Sequence, residues 1–368
     1  MANINQILDT DTLGEIAFPP WESNVNEWDR TQQAVGDFIG ANFSLFTDIA
    51  TTFGSLSSDT NKWFGGVLAS NGMIYGLPYN ATTVLKINPT TDAVTTFGSI
   101  TGGDKYQGGV LASNGMIYGI PLSSATVLKI DPTTNTATTF GSLSSDTYKW
   151  SAGVLAPNGI IYGMPYNSTS ILKIDPTTNT ATTFGSLSGT YKWAGGVVAP
   201  NGCIYGIPLS STTVLKIDPT TDAVTTFGSL TGTNKWSGGV LAPNGIIYGN
   251  PPDSTTVLKI DSTTDTATTF GSLSSDTNKW PSGALAPNGM IYCAPRGSAT
   301  VLKINPMTDT VTTFGSLTND TLKWFGIVLA PNGMLYGIPF SSTTVLKISA
   351  TNIPTPIDFV CSRFFNKF

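Results

Sequence analysis

From about residue 47 the sequence repeats itself seven times, with a period of 43 or 44 residues. A repeat of that length restricts the chain to copies of one supersecondary unit, either stacked in a line or arranged in a ring. The tyrosine of the motif Ile-Tyr-Gly and its variants falls at Tyr75, Tyr118, Tyr162, Tyr205, Tyr248, Tyr292 and Tyr336. The lysine of Val-Leu-Lys-Ile keeps step at Lys86, Lys129, Lys173, Lys216, Lys259, Lys303 and Lys347.

Each copy reads as four short strands. In the first copy, Gly65–Ala69 (GGVLA) is the first strand, and its glycine pair suits a crowded position near an axis. Asn71-Gly72 follows, a dipeptide that favours the type I′ hairpin. MIYG is the second strand and Thr82–Ile87 (TTVLKI) the third. The turn NPTTD, or DPTTN in other copies, has Pro preset for one turn position and Asp or Asn to bond the turn backbone. The fourth strand, AVTTFG, is rich in β-branched residues. Four strands in about 43 residues match one blade of a β-propeller.

The two ends decide between a line and a ring. TTFG occurs seven times, yet its first copy, Thr51–Gly54, precedes the first GGVLA, and the last repeat, Ile327–Ile348, has no TTFG after it. The segment Asp48–Gly54 is therefore expected to supply the outer strand of the last blade. An open stack would have no reason to move one strand to the opposite terminus. The expected fold is all-β: a seven-bladed propeller of four-stranded blades closed by an N-terminal strand, with short helical extensions at both ends. Its expected divisions are residues 1–46, 47–349 and 350–368.

These repeats resemble the broad superfamily of NHL, kelch and YVTN-type propeller sequences, most nearly in Val127–Thr136 (VLKIDPTTNT). The resemblance implies the fold and leaves the role open, because propellers host many unrelated functions.

Composition narrows the function classes. With 40% hydrophobic and 11% charged residues the chain is not disordered throughout. No stretch approaches 18 consecutive apolar residues and no signal-peptide pattern opens it, so neither membrane insertion nor export is expected. Three distant cysteines (Cys203, Cys293, Cys361) make neither a disulfide framework nor a zinc site. The chain has no histidine, which removes the usual general base of nucleophilic triads and the commonest metal ligand. Eight acids against Arg30 give the first 50 residues a net charge of −7, while 15 acids and 17 bases leave the remainder at +2. An acidic head on a weakly charged body does not suit nucleic acid.

Residues 1–46 stand outside the repeat. Asn24 with Glu27 forms an N-cap signal, and Val25, Trp28, Val35, Phe38 and Ile39 follow helical spacing. The opening NINQILDTDTLGE, with WESNVNEW and GANF, resembles the leading segment of tailed-phage fibre and decoration proteins. That resemblance implies a virion location and attachment to other virion proteins through Trp21, Trp28, Val35, Phe38 and Ile39, in a homo-oligomer. At the other end, Thr355-Pro356-Ile357-Asp358 is a capping box. It leads into an apolar stripe of Ile357, Val360, Cys361, Phe364, Phe365 and Phe368.

Comparison among repeats locates the candidate site. The tight turns barely change, but the loops joining strands two and three differ, and variation on a rigid platform is how binding faces are built. They contribute Tyr79, Asn80, Tyr166, Asn167, Asp253, Arg296 and Phe340 as candidate ligand contacts. The loops joining strand four to the next strand one all end in Lys plus an aromatic, at Trp63, Tyr106, Trp150, Trp193, Trp236, Trp280 and Trp324. Those rings either stack on sugar faces or wedge between blades with the lysine stems across them. The lysine of Val-Leu-Lys-Ile sits mid-strand and is expected as a snorkelling or blade-edge charge. No catalytic residue, metal or cofactor is expected: the first strands carry no acid or base, and the acids lie in turns without a close pair. Seven-bladed lyases related to virginiamycin lyase resemble the chain in fold, but their chemistry uses histidine. The sequence thus points to a phage structural protein displaying a propeller for host-surface attachment, with glycan as the ligand; the alternative is a free lectin-like propeller.

Overall fold

The computed structural model describes residues 47–318 and 320–350. It contains 28 strands in seven four-stranded antiparallel sheets. In the first blade the strands are Trp63–Leu68, Ile74–Pro78, Val84–Asn88 and Ala93–Phe97, hydrogen-bonded in that order from inside to outside. Among the described residues there is no helix. The helices expected over 24–39 and 355–368 lie outside the described residues.

Closure occurs as the displaced TTFG required. Ile49–Phe53 pairs with Val345–Ser349 over five residues, from Ile49 opposite Ser349 to Phe53 opposite Val345. The last blade is therefore built from both ends of the described chain.

The core is not inside the sheets but between them. Seven apolar clusters each join two neighbouring blades, as where Trp63, Ile74, Leu85 and Ile87 of the first pack with Val328, Tyr336, Ile338 and Val345 of the last. Burial peaks at the second strand and falls from there to the outermost strand. Second-strand residues such as Ile74, Tyr75 and Leu77 are wholly buried, whereas Thr95 and Thr96 of the outermost strand face solvent.

The glycine pair of the innermost strand has two separate uses. At Gly65, with φ near +77°, a Cβ would lie 2.9 Å from Gly108 Cα of the next blade, so the backbones there touch. At Gly66 a Cβ would lie 2.6 Å from Ile338 of the preceding blade. The same side-chain-into-glycine contact recurs from Leu77 to Gly109, Ile120 to Gly153, Met164 to Gly196 and Ile207 to Gly239. Between the last two blades it is inverted: the glycine is replaced by Ile327, and the facing residue is the small Ala294, both in one core cluster. Volume is conserved across the interface, as close packing requires.

The Asn-Gly hairpins are not type I′. Asn71 keeps an ordinary φ, Gly72 has φ near +77°, and Gly72 N–H donates to Ala69 O while Ala69 N–H donates to Met73 O. This is a type I turn closed by a glycine bulge, the three-residue hairpin form. The reason is the Asn71 side chain, whose amide is directed across the blade interface.

Candidate functional site

The two faces of the ring are organised differently. On the face of the tight turns, one clamp repeats around the molecule. Asn71 Nδ2 donates to Tyr75 Oη at 3.0 Å and to Pro132 O of the next blade at 2.9 Å, and Tyr75 Oη donates to the same carbonyl at 3.1 Å. The lysine of Val-Leu-Lys-Ile completes the clamp by reaching the next blade's turn. Lys173–Asp222, Lys216–Asp265, Lys259–Asp309, Lys303–Asp48 and Lys347–Asp92 are ion pairs of 2.5–2.7 Å. Lys86 and Lys129 donate instead to Asn135 and Asn179 at 3.0 Å. These lysines are inter-blade bolts, more than the blade-edge charges that the sequence suggested. Asp48 arrives with the closing strand and also accepts from Tyr292 Oη at 2.8 Å, so the terminal strand brings its own acid to complete the sixth blade's clamp.

On the opposite face, backbone bonds take over. Tyr79 N–H donates to Lys62 O, Lys105 N–H to Tyr79 O, Leu122 N–H to Lys105 O, and Lys149 N–H to Leu122 O, at 2.7–3.0 Å. The belt continues around the ring and closes where Phe340 N–H donates to Lys323 O and Lys62 N–H to Phe340 O. It is interrupted only at Pro252, which has no N–H; there Ser254 N–H bonds to Lys235 O. The lysine amines are buried beneath the loops and capped by carbonyls: Lys62 Nζ donates to Asp59 O at 2.6 Å, and Lys192 Nζ to Gly189 O and Ser168 O at 2.8 and 2.9 Å. Burial depresses the amines of Lys149 and Lys192 to about 8.

This belt fixes the backbone without using the side chain of the varying residue. Position by position around the ring it is Tyr79, Leu122, Tyr166, Leu209, Pro252, Arg296 and Phe340. Tyr79, Leu122 and Phe340 gather with Phe64 in one apolar cluster, flanked by the partly buried Tyr148, Tyr166, Leu322 and Phe325. Ring centres of Phe64, Tyr79 and Phe340 lie 5.4–5.6 Å apart. Arg296 reaches over this cluster, its guanidinium carbon 5.4 Å from the Phe325 ring centre and 5.5 Å from that of Phe340. Burial lowers the Arg296 pKa, and burial together with the Asp104 carboxylate pushes the Tyr79 phenol well above its usual range.

Several expected contacts have other work. Asn80 Oδ1, Asn167 Oδ1 and Asp253 Oδ1 accept the N–H of Asp104, Tyr191 and Asn278 in the next blade, each at 2.7 Å. Their polar atoms fasten blade to blade. The tryptophans are wedges: Trp63, Trp150, Trp193, Trp236, Trp280 and Trp324 are only 2–4% exposed. Each indole N–H donates to the carbonyl preceding its own third strand, at 2.6–2.8 Å, as in Trp63 to Thr83 O. An interior ring offers no face to a sugar. Tyr166, Arg296 and the aromatic floor under Tyr79 and Phe340 are the parts of the expected site that the structure brings together. Trp21, Trp28, Val35, Phe38 and Ile39 lie outside the described residues.

One set of residues escaped sequence reasoning. The position just before each buried lysine is left-handed in all seven blades: Asn61, Asp104, Tyr148, Tyr191, Asn234, Asn278 and Leu322, with φ of 46–59°. Asn and Asp adopt this region readily, whereas Tyr and Leu do so at a cost of about 1 kcal/mol. Strain of this kind concentrates at functional positions. Tyr191 is exposed and packs edge-on against Tyr166 at 5.1 Å, and Tyr148 Oη donates to Asp104 Oδ2 at 3.0 Å. The signal was legible as Asn or Asp giving way to Tyr, Tyr and Leu before Lys-Trp.

Among the described residues, no group of three or more His, Cys, Asp or Glu gathers to hold a metal. Cys293 is buried, and desolvation pushes its thiol well up.

Comparison with known proteins adds the following. A family described as a repeat of unknown function (DUF6923) matches residues 109–270, less than half of the chain. No curated protein matches the sequence. Among solved structures, a streptogramin B lyase superposes with a TM-score of 0.71 at 14% identity, covering 82% of this chain and 97% of its own. A catalytically inactive virginiamycin B lyase from Staphylococcus aureus, solved with quinupristin, gives 0.71 at 12% identity, covering 82% and 99%. The extracellular domain of a putative hybrid two-component system from B. thetaiotaomicron gives 0.64 at 12% identity, covering 84% of this chain and 43% of its own. At such identities the likeness is one of fold: the chain is a seven-bladed β-propeller repeat protein.

Proposed function

We propose that this chain is a non-catalytic binding propeller of a tailed-phage particle, and that it meets the host surface, most naturally a glycan, with the variable-loop face. The carrying observation is the division of labour on that face. A belt of backbone bonds holds the loops, while the side chains above it are free to differ, and at Tyr148 and Tyr191 aromatic rings occupy backbone positions that disfavour them. Aromatic rings above a rigid rim suit the apolar faces of sugar rings, with neighbouring hydroxyls and carbonyls for the sugar hydroxyls. The non-catalytic part of the reading rests on the missing histidine and on acids committed to turns and clamps. The particle part rests on the resemblance of residues 1–46 to phage attachment segments.

Two experiments separate these parts. Mass spectrometry of purified particles finds the chain if it is a virion component and misses it if it is a free lectin. Binding to host cells or a glycan array should drop at least several-fold in Tyr191→Ala and Phe325→Ala chains that melt normally. Unchanged binding in both variants would move the site off this face.

A further inference from the structure

Arg296 is the anomaly of the variable face. At its position the other blades carry only uncharged residues: Tyr79, Leu122, Tyr166, Leu209, Pro252 and Phe340. Its guanidinium lies over the rings of Phe325 and Phe340, and burial disfavours its charge. Its nearest compensation is incomplete. Nη1 donates to Asn278 Oδ1 at 2.7 Å, but Nε is shielded from solvent with no hydrogen-bond partner. Among the described residues, no carboxylate lies within ion-pair distance; Asp253 feels the charge, but its Oδ1 is bonded to Asn278 N–H. A half-buried cation with no carboxylate paired to it is costly, and an anion supplied by a ligand would offset that cost. A guanidinium among aromatic rings is matched to a planar anion attached to a ring with an apolar face.

We infer that the face takes an acidic glycan, with a sugar carboxylate meeting Arg296 and the sugar ring resting on the aromatic patch of Phe325, Tyr166 and Tyr191. This rests on the proposed binding role of the variable face and specifies its ligand class. A charge-assisted contact in a shielded site should favour the acidic form roughly tenfold or more over its neutral counterpart.

The test uses the full chain on an array of glucuronate-, galacturonate- and sialate-containing oligosaccharides, each beside its carboxyl-reduced form and beside sulfated analogues. The expected result is retention of at least one carboxylated glycan with roughly tenfold loss on carboxyl reduction. Arg296→Gln should abolish that preference, bringing binding of the acidic form down to that of the reduced form, and Arg296→Lys should restore only part of it. Equal binding of acidic and reduced forms, or binding of sulfated glycans alone, overturns the carboxylate assignment and leaves the binding face standing. Binding that survives Phe325→Ala and Tyr191→Ala as well as Arg296→Gln overturns both, as does an array on which nothing is retained.

Discussion

The turn face and the loop face of this propeller face the same task, joining seven blades, and meet it with different atoms. On the turn face the joints are side chains: Asn, Tyr, Lys and an Asp or Asn from the next blade, repeated so strictly that substitution at any of them removes a bond. On the loop face the principal joints are backbone groups, with a polar side chain of the second loop residue beside them. A joint made of side chains freezes its sequence, whereas a joint made of backbone leaves the side chain above it free to vary. The invariance of one face and the drift of the other therefore follow from where the inter-blade bonds are placed.

The largest effect should come from removing the joint at which the ring closes. Deleting residues 47–54 leaves the edge of Val345–Ser349 unpaired and removes Asp48 from its clamp, so the product should aggregate; size-exclusion chromatography and thermal melting read this directly. A soluble, cooperatively melting deletion would show that the last blade stands without it.

Next come the wedges under the loop face. Trp150→Ala or Trp193→Ala removes a ring buried between two blades and an indole hydrogen bond. A loss of about 3–5 kcal/mol in urea unfolding is expected. A loss below about 1 kcal/mol would mean that the ring is not part of the core.

The clamps should grade by burial. The Asp48 carboxyl is 10% exposed and accepts from both Lys303 and Tyr292, so Asp48→Ala should cost about 2–3 kcal/mol. The Asp222 side chain is 40% exposed, and Asp222→Ala should cost at most about 1 kcal/mol. Equal losses would mean that closure adds nothing to the strength of the clamp.

The two faces differ most at Tyr191. Tyr191→Asn relieves a left-handed backbone but removes an edge-on contact with Tyr166, each term about 1 kcal/mol, so stability should change by less than about 0.5 kcal/mol. Ligand binding should nonetheless be lost. A residue whose removal the fold tolerates but the ligand does not is the signature of a face kept for binding.

A further effect is one of pH. Burial holds Lys149 and Lys192 near 8 in the folded chain, well below an unfolded lysine, so between pH 8 and about 10 the unfolded state binds more protons. Stability should rise with pH in that window. Above about pH 10 the trend should reverse, because the clamp tyrosines, with phenols raised by burial, stay protonated after unfolded tyrosines have ionised. Urea midpoints measured from pH 7.5 to 10.5 would follow both slopes.

Much of this was legible in the chain itself. The period, the turn residues and the displaced Thr51–Gly54 determine seven blades, four strands in each, and closure by the N-terminal strand, because each feature is local or follows from counting copies. What the sequence could not decide was direction: which atoms of a repeated residue point across a blade interface and which point outward. Asn80 and Asn167 looked like ligand contacts and are fasteners between blades, and the Lys-Trp pairs looked divided between platform and wedge and are buried. The bulky residues at left-handed positions, the belt of backbone bonds and the Arg296 Nε without a partner exist only once seven copies meet around an axis. A repeat specifies its own blade through local pattern; the contacts between blades join residues some 25 to 60 positions apart, and only the closed ring brings them within bonding distance.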